Sequence, residues 1–208
     1  MDQKIAGILF DIGGVLVALD GVPSMAKLLG VEPQHEALHA IWIASPSVVA
    51  HETGKINAAE FAAGVVAELR LPVTADRFLQ DFSNWPTGLL PGALQLLDDI
   101  PDIYQVAALS NTSAMHWEKI RAMGLVDRFD ETYLSHQIGC LKPDAGAFLA
   151  ALEGMGLSPS DVLFLDDGLR NIDAAAKLGM HAHLARGPEE ARRVLAQYGI
   201  VSSSADAR

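Results

Sequence analysis

The sequence predicts an α/β fold: a doubly wound parallel sheet, Rossmann-like, with a small helical unit inserted after the first strand. Two observations carry this. Five short apolar runs, "KIAGILF", "YQVAAL", "ETYL", "DVLFL" and "HAHLA", read as strands buried on both faces, and helical patterns separate the last four. After the first run, about 70 residues hold no convincing strand and read as helical.

Taken in order, the first run ends in Asp11 and then a glycine pair, Gly13 and Gly14. The insertion follows. "PQHEALHAIWIA", "NAAEFAAGVVAELRL" and "TADRFLQDFSNW" repeat apolar residues every three to four positions, with Asn57 and Thr74 as N-caps of the last two. The core resumes around "PGALQLLDDI". Residues 1–17 and 88–201 are assigned to the core, 18–87 to a helical cap and 202–208 to a small polar tail. Within the core, "SAMHWEKIRAMG" opens on a capping Ser113, "DAGAFLAALEGMG" follows a proline and runs into glycines, and "LRNIDAAAKLG" stops at Gly179. Strand, helix, strand at this pace requires right-handed crossovers, hence a parallel sheet covered on both faces. An insertion directly after the first strand sits above the carboxyl end of that sheet, where a lid belongs.

Composition narrows the function. Half of the 208 residues are hydrophobic, enough for a core that needs neither disulfide nor structural metal. The single cysteine, Cys140, excludes an intramolecular disulfide and fits a reducing compartment. A formal net charge of −11, with no cluster of Lys and Arg, argues against nucleic acid as a partner. It also means that an anionic substrate needs local positive charge, such as a bound cation. The apolar segment near the start is too short to span a membrane, so a cytoplasmic protein with no membrane partner is expected.

Open parallel sheets bind ligands at the carboxyl ends of their strands. Asp11 stands at the end of the first, Ser110 and Asn111 of "LSNT" after the second, and Lys142 of "GCLKPD" beyond the third. Asp166, Asp167 and Asn171 of "LDDGLRN" follow the fourth. Carboxylates without His or Cys select a hard, oxygen-seeking cation such as Mg²⁺, which also takes a phosphate oxygen. Lys142 is a compact positive charge and Ser110 a phosphate donor. With its charge offset by cation and lysine, a carboxylate can attack phosphorus and form an aspartyl phosphate.

These motifs, "FDIGGVL", "LSNT", "KPD" and "FLDDGLRN" in that order, resemble those of the haloacid dehalogenase superfamily of hydrolases, in its phosphatase branch. The resemblance implies Asp11 as nucleophile, with Ser110, Asn111 and Gly14 around the phosphate. It implies that Lys142 steadies nucleophile and phosphate, and that Asn171 orients the acidic pair. Asp11, the Gly13 carbonyl and Asp167 are the implied Mg²⁺ ligands, with Asp166 beside them as a further ligand or as an acid that supports the others. The substrate expected is a small phosphorylated metabolite. "HETGKI", "LSNT" before a helix containing His, and Gly13 itself further resemble bacterial phosphatases of glucose 1-phosphate. Dehalogenases proper usually carry an aromatic residue at position 13 and serines at 166 and 167.

Gly13 departs from the superfamily's usual pattern, in which a second Asp acts as general acid and base. Glycine keeps the carbonyl and loses the proton carrier, a contribution of about 10²- to 10⁴-fold. Leaving groups of higher acidity, such as the anomeric hydroxyl of a sugar 1-phosphate, then need less help. Asp20 and His116 are the candidate stand-ins. Two other functions remain open from sequence: dehalogenation of a small acid, and a phosphate-binding regulatory protein without turnover.

Each residue also has a plainer role. Asp166, Asp167, Ser110 and Asn111 suit helix N-caps, Lys142 an exposed position before the helix-starting Pro143, and Gly13 with Gly14 a tight turn. His116 suits a helix surface or core, and Asp20 a loop. Trp42, Phe61, Phe82 and Trp85 suit core aromatics, His51 and Glu52 a helix end, and Cys140 an apolar filler.

Overall fold

The computed structural model describes residues 5–202; Lys4 of the first run and residues 203–208 of the tail lie outside it. Strand β1 (Gly7–Phe10) is followed by β2 (Val17–Leu19) and five helices, α1 (Gly21–Leu29), α2 (His35–Ala44), α3 (Pro46–Glu52), α4 (Ala58–Glu68) and α5 (Ala75–Ser83). The chain returns through β3 (Pro86–Leu89) and α6 (Ala93–Asp98) to β4 (Gln105–Ser110), α7 (Ala114–Arg121), β5 (Glu131–Leu134), α8 (Ser135–Ile138) and α9 (Ala145–Met155). It ends with β6 (Val162–Asp166), α10 (Leu169–Lys177), β7 (His181–Leu184) and α11 (Pro188–Gln197).

Five strands form one parallel sheet in the order β5-β4-β1-β6-β7. Its central strands are apolar on both faces, which is why they read as continuous runs. Ile8, Phe10, Val106, Ala108, Leu163 and Leu165 face one cluster with α6, α7 and α11. Their alternates Leu9, Ala107, Leu109, Val162 and Phe164 face a second with α9 and α10. From β1 the chain steps outward to β4 and β5 on one side, then to β6 and β7 on the other. This reversal places the end of β1 in the crevice where such sheets bind ligands.

The five inserted helices gather around their own cluster of Met25, Val48, Phe61, Val65, Phe78, Phe82 and Trp85. Asn57 caps α4 in a capping box with Glu60, and Thr74 caps α5 through the Arg77 N–H, as their sequences require. Trp42 joins this cluster with its ring 4.8 Å from that of Trp85 and 5.9 Å from that of Phe82.

Two features depart from the expectation. The insertion has five helices rather than three, and it is not free of strands. β2 and β3 pair antiparallel, Val17 with Leu89 and Ala18 with Gly88, so a two-stranded ribbon straddles both expected boundaries, 17/18 and 87/88. Among the described residues no helix is long and apolar enough to cross a membrane.

Candidate active site

The strand ends bring the predicted residues together. Asp11 continues β1, its N–H bonded to the Leu165 carbonyl (2.8 Å), and stands between the ends of β4 and β6. Lys142 arrives from beyond β5 and is not an exposed lysine: its side chain is 2% accessible. Its Nζ donates to Asp11 Oδ1 and Asp166 Oδ2, each at 2.7 Å, above the Phe164 ring.

Asp166 is fully buried and does not cap α10, whose N-cap is Gly168. Oδ1 accepts from the Gly168 N–H (2.8 Å) and Asn171 Nδ2 (2.9 Å), while Oδ2 accepts from Lys142. Every oxygen of this carboxylate is engaged, so it holds the lysine in place. Asn171 has the orienting position that the sequence suggested.

One oxygen each of Asp11, Asp166 and Asp167 lies within 4.8 Å of the others. Three carboxylates and no nitrogen or sulfur donor suit a small hard cation, and Mg²⁺ fits this set. The carbonyls beside Gly13 are occupied, Ile12 by the N–H groups of Leu16 and Val17, and Gly14 by that of Gly187. Among the described residues no hydrogen bond uses the Gly13 carbonyl, the oxygen that the sequence resemblance assigned to the cation.

Electrostatics follow from burial. Desolvation pushes the Asp11 carboxyl up to about 7, against the pull of Lys142 and with help from Asp166 and Asp167. Lys142 is pushed down by desolvation, but the two carboxylates outweigh that and raise it, so it stays charged. A cation bound among the carboxylates would oppose the desolvation of Asp11 and favour its ionised form.

Two assignments change. Gly14 does not offer its N–H to a phosphate, because that N–H bonds the Val17 carbonyl at 2.9 Å. It is glycine for space: its φ is +72°, and an added Cβ would fall 2.2 Å from Asp167 Oδ2. Asn111 sends its side chain to the Lys142 backbone, Nδ2 donating to the carbonyl (2.9 Å) and Oδ1 accepting from the N–H (2.8 Å). Its amide therefore fixes the lysine segment, and any phosphate contact falls to the Asn111 N–H. Ser110 is buried at the end of β4, the strand that pairs with β1.

Of the two stand-in acids, His116 is not poised for chemistry. His116 stacks on Phe82 (4.0 Å) with Nε2 donating to the Phe82 carbonyl (2.7 Å), and desolvation pushes it down to about 4. Asp20 accepts from the Ser24 hydroxyl in the first turn of α1. The α7 cap is Ser113, as predicted, and Cys140 packs against the α9 side of the core.

Sequence reasoning missed Ser135 and Leu19. Ser135 Oγ accepts from the Thr112 N–H (2.9 Å) and donates to the Thr112 carbonyl (3.0 Å), tying the loop after β4 to α8. The strand-end rule that found the others applies to it as well, since it directly follows β5. Leu19 Cδ1 lies 2.6 Å from where a Cβ on Gly13 would stand, a contact across the β2 turn that carries no local sequence signal. A surface depression of about 750 Å³, lined by Asp98, Asp102, Asp127 and Asp130 among others, lies near the start of β4 and contains none of these residues.

The sequence profile of haloacid dehalogenase-like hydrolases matches residues 5–179. The chain belongs to this family. It is 30% identical over 191 residues to the D-ribitol-5-phosphate phosphatase of Bacteroides thetaiotaomicron, covering 84% of this chain and 89% of that one. A haloacid dehalogenase family enzyme from the same organism, solved with magnesium and inorganic phosphate, superposes with a TM-score of 0.69 at 27% identity, over 87% of this chain and 94% of the other. A family hydrolase from Porphyromonas gingivalis gives 0.74 at 23%, over 96% and 100%, a likeness of fold. The chain is thus a haloacid dehalogenase-like hydrolase with phosphatase relatives, and its parallel sheet is that family's core. The first of these relatives is named for ribitol 5-phosphate, not the glucose 1-phosphate of the finer sequence resemblance.

Proposed function

We propose that this hydrolase is a Mg²⁺-dependent phosphatase of small phosphorylated metabolites, sugar or polyol phosphates, working through an aspartyl phosphate on Asp11. The observation that carries this reading is Lys142 bridging Asp11 and Asp166 inside a cluster of three carboxylates. Asp11 attacks phosphorus in line with the leaving oxygen. Ser110 donates to a phosphoryl oxygen, and Lys142 offsets charge on nucleophile and phosphate together. Asp166 keeps Lys142 in that position, and Asn111 keeps its backbone there. Asp11, Asp167 and the Gly13 carbonyl, with Asp166 beside them, would hold Mg²⁺, which when bound would supply further neutralisation of charge on the transferring group.

Helices α1–α5 serve as the cap over this site and select the organic part of the substrate. With glycine at position 13, esters of more acidic alcohols are favoured, sugar 1-phosphates among them. A screen of phosphorylated metabolites with and without Mg²⁺ tests the reading. Turnover of phosphoesters that chelator abolishes supports it. Halide release from 2-haloacids in excess chelator, or phosphate binding with no ester turned over, contradicts it.

A further inference from the structure

The last strand of the sheet, β7, lies at its edge and carries histidines at alternate positions. His181 and His183 pair in register with Leu163 and Leu165 of β6, so both rings lie on the face that α11 helps to cover. Tyr198, at the carboxyl end of α11, sets its hydroxyl between them. His183 Nε2 donates to Tyr198 Oη at 2.8 Å, and the Tyr198 hydroxyl donates to His181 Nδ1 at 3.3 Å. His181 Nε2 donates in turn to the Ser160 carbonyl (3.1 Å), just ahead of β6.

This chain of bonds has the layout of a metal centre. Two imidazole nitrogens and a phenol oxygen converge, and their spacing suits a common ion: atoms bound to a tetrahedral metal at about 2.0–2.1 Å stand roughly 3.3 Å from one another. His181 is also oriented as a ligand is. With its Nε2 proton held by a backbone carbonyl, its lone pair is fixed on Nδ1 and points at the centre. All three side chains are half-buried at the open edge of the sheet, within reach of an ion from solvent. Desolvation, with His181 adding to it, holds His183 below the usual imidazole range, so at neutral pH it has the uncharged form that binds metals.

We propose that His181, His183 and Tyr198 form a second cation site, separate from the carboxylates around Asp11 and selective for a borderline divalent ion such as Zn²⁺. Imidazole nitrogen suits Zn²⁺ and not Mg²⁺, which takes oxygen ligands, so the two sites sort two kinds of cation. Burial raises the Tyr198 phenol above its ordinary value, and without metal it keeps its proton. Metal binding releases that proton, and the ring proton of His183 passes to Nδ1 as Nε2 takes the ion. The bound ion ties the edge strand to α11 and stabilises that end of the fold.

Zn²⁺ titration of the full chain in excess Mg²⁺, followed by calorimetry and thermal melting, tests this. The expected result is one equivalent of Zn²⁺ per chain, with proton release and a raised melting temperature. The double variant His181→Gln, His183→Gln should lose that equivalent, and Tyr198→Phe should bind at least about tenfold more weakly. Cu²⁺ supplies a signature that needs no drastic substitution: a phenolate-to-metal charge-transfer band in the wild type, absent from Tyr198→Phe. Zn²⁺ taken up equally by a folded double variant overturns the inference, because the ion then sits elsewhere, as among the carboxylates. A wild-type protein that binds no Zn²⁺, or a Cu²⁺ spectrum without the phenolate band, overturns it as well.

Discussion

Lys142 Nζ lies 2.7 Å from Asp11 Oδ1 and 2.7 Å from Asp166 Oδ2, so one buried ammonium joins the ends of β1 and β6. Two carboxylates and a cation withdrawn from water are stable only as a set, and each is costly without the others. The same arrangement that holds these two strand ends together places a positive charge beside Asp11 Oδ1, an oxygen of the carboxylate proposed to attack phosphorus.

Replacing Lys142 by Met therefore strands two buried carboxylates. A loss of about 3–5 kcal/mol in unfolding free energy is expected at neutral pH, recovered in part as acid protonates Asp11, whose carboxyl burial already raises to about 7. Denaturant melts at pH 7 and pH 5 measure it. Equal destabilisation at both values would show that the cost is packing rather than charge.

Gly14→Ala puts a methyl group 2.2 Å from Asp167 Oδ2 on a backbone with φ of +72°. About 1–3 kcal/mol of stability should be lost. Mg²⁺ affinity should fall with it, because the displaced group belongs to the carboxylate cluster. Titration calorimetry with Mg²⁺ on wild type and variant reads this directly.

Asn111→Ala removes both bonds to the Lys142 backbone. The expected cost is about 1–3 kcal/mol in stability. A fall in kcat larger than any change in KM should accompany it, since the residue acts through the lysine's position. Steady-state kinetics on the best phosphoester of the screen give the split.

His116 introduces a pH dependence. Its folded value of about 4 lies below the ordinary 6.5, so the unfolded chain binds a proton that the folded one refuses. Its share of stability is complete above pH 6.5 and is lost as pH falls toward 4, by on the order of 3 kcal/mol. Glu52 opposes it: burial raises that carboxyl from 4.5 to about 7, so stability declines as pH rises through that interval. Unfolding free energies of His116→Phe and Glu52→Gln against wild type, from pH 4 to 8, separate the two slopes.

The fold was legible where residues repeat a local pattern. The strands of the parallel sheet are buried on both faces, and that burial is written as unbroken apolar runs. Asn57, Thr74 and Ser113 announce their helices because a cap acts within three residues. β2 and β3 escaped because each has only three or four residues, β3 contains Pro86 and Gly88, and the two pair across the whole insertion. α1 opens on Gly-Val-Pro, and α3 has seven residues with Val48 and Val49 adjacent, so neither has a clear helical period.

The site divides in the same way. Strand-end position pointed to Asp11, Lys142, Asp166 and Asp167, which the fold brings together because topology gathers those ends. The partners of Asn111 and Gly14 were misjudged, since each is set by a contact with a segment distant in sequence. Leu19 over Gly13 belongs to the same class, a packing relation across a turn.

The most direct test of the account is turnover by Asp11→Asn with Mg²⁺ present. The amide keeps the side chain's shape but cannot attack phosphorus, so hydrolysis should fall to background while the thermal melt still shows a folded protein. Hydrolysis at the wild-type rate would contradict the assignment of Asp11 as nucleophile.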